Sequence, residues 1–476
     1  MAFETKTARF WVETLGCPKN AVDSDKVTAS LLGDGMIPAD NPEGADLVVV
    51  NTCAFVEAAR QESIDTVLDL AARRQAGARV VVTGCLAERY GEELATSLPE
   101  VDAVVGFAGE GSLAKFSPVA LTPISLPVQW AGGKSLPVRP DGVVRDLLEL
   151  PRATPSRPWA YLKIAEGCDR ACAFCAIPSF RGAQRSRSPE VIMAEARELV
   201  EAGVVELVLV AQDPAWYGRD IGAPGALAGL LQQLDSELGP SGLLRVRILY
   251  LYPSEVKGEL VRTMLELPTP VPYFDLSLQH ADRALLARMK RWGGAEKFMA
   301  MIDSIRDQEP TATFRSSFIV GFPGETESAH ESLLEFLSAA QLDWAGFFPF
   351  SPEEGTAANS LDQTVTEELM NERLRECEEV QTPITQGARD AIVASETDLE
   401  VLLDEVDPNT GIAVGRSHRE APEIDGLIHI SGGLNLTPGV MVKAKAQAAL
   451  GPDLYADFVR LADPDLSGIN PIGSSA

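Results

Sequence analysis

From residue 9 onward the chain alternates short β-rich runs with longer stretches whose apolar positions recur at helical spacing. RFWVETLGC, LVVVNTC and ARVVVTGC have strand length, and AVDSDKVTASLL, EAARQESIDTVLDLAARR and LAERYGEELATSL follow them in turn. This alternation, running to about residue 106, predicts an open parallel α/β sheet with crossover helices. It stops at a Pro-rich segment, residues 125–158, which holds Gly132, Gly133 and prolines at 127, 137, 140, 151, 155 and 158 and reads as a linker or covering segment. The alternation then resumes. WAYLKIAEG, VELVLVAQD, LRVRILYL, YFDLSLQ, FRSSFIVGF and WAGFFPFS, separated by helix-length segments, predict a (β/α)6 partial barrel whose active face lies at the strand C-termini. After a charged helix, TEELMNERLRECEEVQTPITQGARDAI, short β-like runs with Gly, Asn and Pro turns from about 394 to 460 predict a small antiparallel barrel of the OB kind, a fold often used to hold oligonucleotides. The pattern divides the chain into an N-terminal domain (1–125), a linker (126–158), a central domain (159–388), a small barrel (389–462) and a frayed tail (463–476).

Composition narrows the class. A chain of 476 residues exceeds one average core, and 45% apolar with 6% aromatic residues is the composition of an ordinary folded protein and gives no reason to invoke long disorder. No apolar run approaches the roughly 18 to 20 residues that cross a bilayer, and the start, MAFETKTARFWVE, lacks a signal-peptide core. The expectation is a cytoplasmic protein with no membrane partner. Seven cysteines, an odd number spread over a long chain, fit a reducing compartment better than a disulfide framework. The formal charge is 41 minus 69, or -28, and residues 391–476 carry 13 acidic against 5 basic residues, net -8. Such a surface repels naked nucleic acid and attracts a basic protein, so RNA contact is expected to be secondary.

The chemistry is concentrated in the cysteines. Cys168, Cys172 and Cys175 stand on one short run, CDRACAFC, and soft thiolates select iron–sulfur clusters or zinc. A structural zinc site would be closed by a fourth nearby Cys or His, but the next histidine is His280. Three ligands therefore point to a four-iron cluster with one iron open. Cys17, Cys53 and Cys85 end three successive predicted strands, where ligands of open α/β sheets gather, so they form a candidate second cluster site although each alone reads as a small buried residue. Cys377 lies in the charged helix without a thiol partner and reads as a bystander. His280 is either a site residue or a hydrogen-bonded barrel histidine. Arg181, Arg185 and Arg187 are either solvated surface groups or a cluster for an anionic substrate. In GFPGET, from Gly321 to Thr326, the backbone can approach a ligand, or Glu325 and Thr326 simply cap the next helix.

The run YLKIAEGCDRACAFCAIPSFRG resembles the signature of radical S-adenosylmethionine (SAM) enzymes, in which the amine and carboxylate of SAM chelate the open iron and reductive cleavage yields a 5'-deoxyadenosyl radical. With TLGCPKNAVDS, NTCAFVEAARQES and GCLAERY, the chain resembles the methylthiotransferase family of these enzymes over almost its whole length. The resemblance implies two 4Fe–4S clusters, a radical SAM barrel, a C-terminal TRAM domain and at least two SAM molecules. It places Cys168, Cys172 and Cys175 on the SAM cluster and Cys17, Cys53 and Cys85 on an auxiliary cluster that holds the sulfur to be methylated. Phe174 takes the position at which these enzymes set a residue against the adenine, or packs in the core; Gln212 and Asp213, at the end of the second barrel strand, are either a site for the amino group of SAM or a satisfied strand-end pair.

Two branches of the family differ in substrate. TLGCPKN, KIAEGCDR, QDPAWYG and DLSLQH resemble the branch that puts a methylthio group on the β-carbon of an aspartate in ribosomal small-subunit protein twelve, free or within the subunit, and acidity suits that basic partner. An electron donor such as flavodoxin or ferredoxin is implied. The alternatives are a transfer RNA adenosine methylthiotransferase and, from another class, a non-enzymatic iron–sulfur RNA-binding protein. Pro214 stands where a small hydroxyl residue is usual, Ser277 where proline is usual, and FFPFS replaces a tyrosine-containing variant. These departures concern the substrate pocket.

Overall fold

The computed structural model describes residues 7–119, 147–432 and 436–462. Most of the Pro-rich segment, with Gly132 and Gly133, and the tail lie outside these residues. The chain forms two compact bodies: one comprises 1–154, 166–169 and 175–185, the other 155–165, 170–174 and 186–476.

In the first body, β1 (Arg9–Thr14), β2 (Ile37–Pro38), β3 (Leu47–Thr52), β4 (Arg79–Gly84) and β5 (Ala103–Val104) form an all-parallel sheet in the order β2-β1-β3-β4-β5. All six residues of β3 are buried, as expected of a central parallel strand covered on both faces. Side chains alternate between those faces. Val48, Val50, Val80 and Val82 join one core with α2 (Glu57–Arg73) and α3 (Cys85–Ser97), whereas Leu47, Val49 and Val81 join another with α1 (Pro18–Gly33). The open α/β sheet read from the sequence is therefore a three-layer sandwich.

The second body begins with β6 (Trp159–Lys163). A short ribbon, β7 (Ala165–Glu166) with β8 (Arg185–Ser186), brackets the cysteine loop and α4 (Ile177–Arg181), of which residues 166–169 and 175–185 count with the first body. Five further strands follow: β9 (Glu206–Val210), β10 (Arg245–Ile248), β11 (Tyr273–Gln279), β12 (Thr313–Val320) and β13 (Trp344–Pro349). They form two parallel three-stranded sheets, β6-β9-β10 and β11-β12-β13. Leu251 bridges the two: its amide donates to Asp275 O at 2.8 Å and its carbonyl accepts from Ser277 N at 2.9 Å. Six parallel strands in sequential order, with helices covering their outer side, make the partial barrel that the sequence predicts.

The charged helix α5 (Glu367–Ser395) starts at Thr366, whose side chain accepts from Leu369 N. It leads into β14 (Asp398–Val406), β15 (Ala413–Arg416), β16 (Ile428–Ser431), β17 (Met441–Leu450) and β18 (Asp453–Leu461), a closed barrel in the order β14-β15-β16-β18-β17. Four of its pairings are antiparallel, but β16 and β18 run parallel. A closed ring with an odd number of strands cannot alternate direction throughout, so one parallel pair is a geometric necessity.

Candidate iron–sulfur and SAM site

Three of the six candidate ligands follow a glycine that no other residue could easily replace. Gly16, Gly84 and Gly167 have φ of +92°, +89° and +77°, in the left-handed region that costs an L-residue about 1–2 kcal/mol. A Cβ on Gly84 would stand 2.3 Å from Asn51 Oδ1 and 2.6 Å from Thr52 O, and one on Gly167 2.1 Å from Ala183 O. On Gly16 it would meet Cys53 Sγ at 2.8 Å. The backbone turns sharply at each strand end and delivers the next residue, a cysteine, to the C-terminal side of the sheet. Cys17 caps α1 and Cys85 opens α3.

Asn20 gathers the three auxiliary cysteines. Its side-chain nitrogen donates to Leu15 O at 2.9 Å and Thr52 O at 3.0 Å, tying the strand ends that carry Cys17 and Cys53, while its oxygen lies 3.6 Å from Cys85 Sγ. Burial drives the thiol of Cys85 up to about 12 and raises that of Cys53. Burial also acts against the Cys17 thiolate, but the charges of Lys19 and Arg181 and the amides of Asn20 and Lys19 outweigh it and lower its pKa. Among the described residues no three His, Cys, Asp or Glu side chains close around a single metal ion. The donor set, three free thiols with cationic neighbours, suits a thiolate-held cluster.

The Cys168–Cys175 loop is pinned at several points. Cys168 N donates to Gly182 O at 3.1 Å, Ala173 N to Met289 O at 2.9 Å, and Ala358 N to Ala173 O at 2.8 Å. Arg291 Nη1 lies 3.4 Å from Cys172 Sγ. Arg291 also starts an alternating stack that the sequence reading missed: its guanidinium lies 4.0 Å from the Tyr252 ring centre, Arg170 fits between Tyr252 (3.8 Å) and Trp216 (4.0 Å), and Arg219 covers Trp216 at 3.7 Å. Cation–π contacts of this kind contribute about 0.5–2 kcal/mol each. Within QDPAWYG, the nearest sign of the stack was Trp216.

The other candidates resolve as follows. Gln212 and Asp213 follow β9 as expected; Asp213 Oδ2 accepts from Arg170 Nε at 2.6 Å, and its other oxygen is buried without a hydrogen bond. Burial raises the Asp213 pKa against the pull of Arg170. Phe174 packs against the barrel core. His280 is buried: its Nδ1 accepts from Asp282 N at 3.0 Å, its Nε2 is buried without a hydrogen bond, and burial lowers its pKa to about 3. Thr326 caps its helix by accepting from Ala329 N. Cys377 is buried in the core with its thiol pushed up to about 12. Arg181 and Arg187 are not surface groups: both are buried, against Glu166 and Glu195 respectively. A cavity of about 370 Å³ lined by Arg315, Trp344, Phe347, Gln381 and Asp425 shares no residue with either cysteine triad.

Fold and thiols together define a class, the radical SAM enzymes, which implies a 4Fe–4S cluster and SAM. The Radical SAM superfamily model matches residues 162–337, the model of uncharacterized protein family UPF0004 matches 9–106, and the TRAM domain model matches 397–459. The ribosomal protein uS12 methylthiotransferase RimO of Salinispora tropica is 41% identical, with 93% of this chain and 94% of that protein aligned. That of Kineococcus radiotolerans is also 41% identical, over 93% and 96%. The chain belongs to the RimO family of radical SAM methylthiotransferases. Among solved structures, the radical SAM methyltransferase TsrM from Kitasatospora setae shares the fold, with a TM-score of 0.52, 14% identity, and coverage of 80% of this chain and 90% of that one.

Proposed function

We propose that this enzyme transfers a methylthio group to the β-carbon of an aspartate in ribosomal protein uS12, free or within the small subunit, using two 4Fe–4S clusters. Cys168, Cys172 and Cys175 hold the cluster that binds SAM, and Cys17, Cys53 and Cys85 hold the auxiliary one. The observation that carries this reading is the pair of cysteine triads, each with a guanidinium directed at one of its sulfurs. When bound, the clusters and SAM supply the one-electron chemistry that opens an unactivated C–H bond, together with the sulfur that replaces the hydrogen.

The chain's own residues bind, orient and shield. Arg291 directs an N–H at the sulfur of Cys172 from 3.4 Å and so orients that ligand. The unengaged oxygen of Asp213, next to Gln212, is suited to the amino group of SAM. Phe174 offers an apolar surface to its adenine. A flavodoxin- or ferredoxin-type donor supplies the electron.

The charge of -28 favours a basic protein partner over RNA. On the small barrel, Lys443 lies 2.7 Å from Glu400 and Lys445 3.3 Å from Glu396, so the cations of β17 are already neutralised. The test is anaerobic incubation of the reconstituted protein with SAM, sulfide and reductant, with a uS12 peptide in one tube and transfer RNA in another. A gain of about 46 Da on the peptide's aspartate, the methylthio group replacing hydrogen, is the expected outcome. Gain on the RNA alone would overturn the substrate assignment.

A further inference from the structure

Arg181 ends α4, six residues after Cys175, yet its guanidinium lies among the auxiliary cysteines of the same body. Nε and Nη2 lie 3.3 and 3.1 Å from Cys85 Sγ. Nη2 also donates to Asn20 Oδ1 at 2.7 Å, and Asn20 is the residue that ties the Cys17 and Cys53 strand ends. Nη1 reaches both oxygens of Glu166 at 2.8 Å, Asp23 Oδ2 is 3.4 Å away, and the plane lies 4.8 Å from the centre of the Phe107 ring. A guanidinium needed only to balance Glu166 and Asp23 would not have to aim two further N–H groups at a sulfur. Its planar fork meets a carboxylate, an amide oxygen and a thiol at once.

We infer that Arg181 is a positioning residue of the auxiliary site: it fixes Cys85 directly and the other two strand ends through Asn20, and its charge sets the reduction potential of the cluster these thiolates hold. The inference rests on the reading of Cys17, Cys53 and Cys85 as cluster ligands. It follows from electrostatics, since a fixed positive charge beside a buried redox group stabilises the more negative, reduced form. It also gives the loop of the SAM cluster a second role, because the peptide that leaves Cys175 supplies the auxiliary site with a buried cation.

The test is potentiometric titration of the reconstituted full-length enzyme followed by electron paramagnetic resonance, with iron counted in parallel, for wild type, Arg181→Gln and Arg181→Lys. The Gln variant should move the auxiliary signal to more negative potential by at least a tenfold change in its reduction equilibrium, which for one electron is about 59 mV. The SAM-site signal should not move. The Lys variant keeps the charge and should change the equilibrium less than tenfold. An unmoved auxiliary signal in Arg181→Gln, or an equal shift of both signals, overturns the proposal. If the Gln variant loses iron from the auxiliary site alone while the Lys variant loads both, the positioning role stands. If the Gln variant does not fold, the Lys variant decides, and a change of tenfold or more overturns the proposal. A wild-type protein with about four irons and one signal, rather than about eight and two, fails differently: it removes the auxiliary cluster itself.

Discussion

Each cysteine triad is accompanied by a buried or half-buried arginine whose contact with sulfur spans a long stretch of sequence, 96 residues for Arg181 and Cys85 and 119 for Arg291 and Cys172. The candidate cysteines were legible because Cys168, Cys172 and Cys175 share one short run and Cys17, Cys53 and Cys85 each follow a strand-like run. The arginines were not: an arginine in a polar stretch has the same sequence whether it faces solvent or a thiol, and only the fold chooses. The division of labour between the triads is testable at this scale. Cys172→Ala should abolish formation of 5'-deoxyadenosine, whereas Cys53→Ala should retain part of it and lose sulfur insertion, measured by chromatography of the nucleoside and mass spectrometry of the peptide. Equal loss of both activities in both variants would contradict two separate roles.

At the level of elements, the strands were visible from Val-rich runs and the cysteine-bearing turns from the Gly-Cys pairs that end them. Gly84 shows why the pair matters. With φ at +89° and Asn51 and Thr52 inside contact distance, a methyl group there must displace the turn that presents Cys85. Gly84→Ala should therefore reduce bound iron from about eight to about four per chain, with the SAM-cluster absorption retained. Iron analysis with absorption spectroscopy checks this, and full loading would show that the turn is more tolerant than its geometry implies. The parallel β16–β18 pair was not legible, because strand direction in a closed barrel is set by strand number and connection order rather than by composition.

The second body is held together by charges as well as by its apolar core. Glu206, at the start of β9, pairs with Arg247 of β10 at 2.9 Å and with Arg416 of β15 at 2.8 Å, joining the large barrel to the small one with no exposed side chain. Burial alone would raise the Glu206 pKa, but Arg416, Arg247 and Arg245 override it and hold it at about 2. A carboxylate depressed in the folded state contributes stability that is complete above its unfolded pKa, about 4.5, and fades as pH falls toward 2. Glu206→Ala should cost about 3–5 kcal/mol, because it leaves buried arginines uncompensated. Denaturant midpoints should record that loss at pH 7, and between pH 5 and 3 they should fall less for the variant than for wild type. Neither that network nor the interleaving of the two bodies is written in the order of elements. The interleaving also bears on how the protein is made. The first body takes its last pieces, including Glu166 and Arg181, from residues synthesised well after its sheet. At about 5–20 residues per second the ribosome needs several seconds to travel from the end of that sheet to residue 185. Throughout that interval the nascent sheet carries three thiols without the guanidinium that later lies against Cys85.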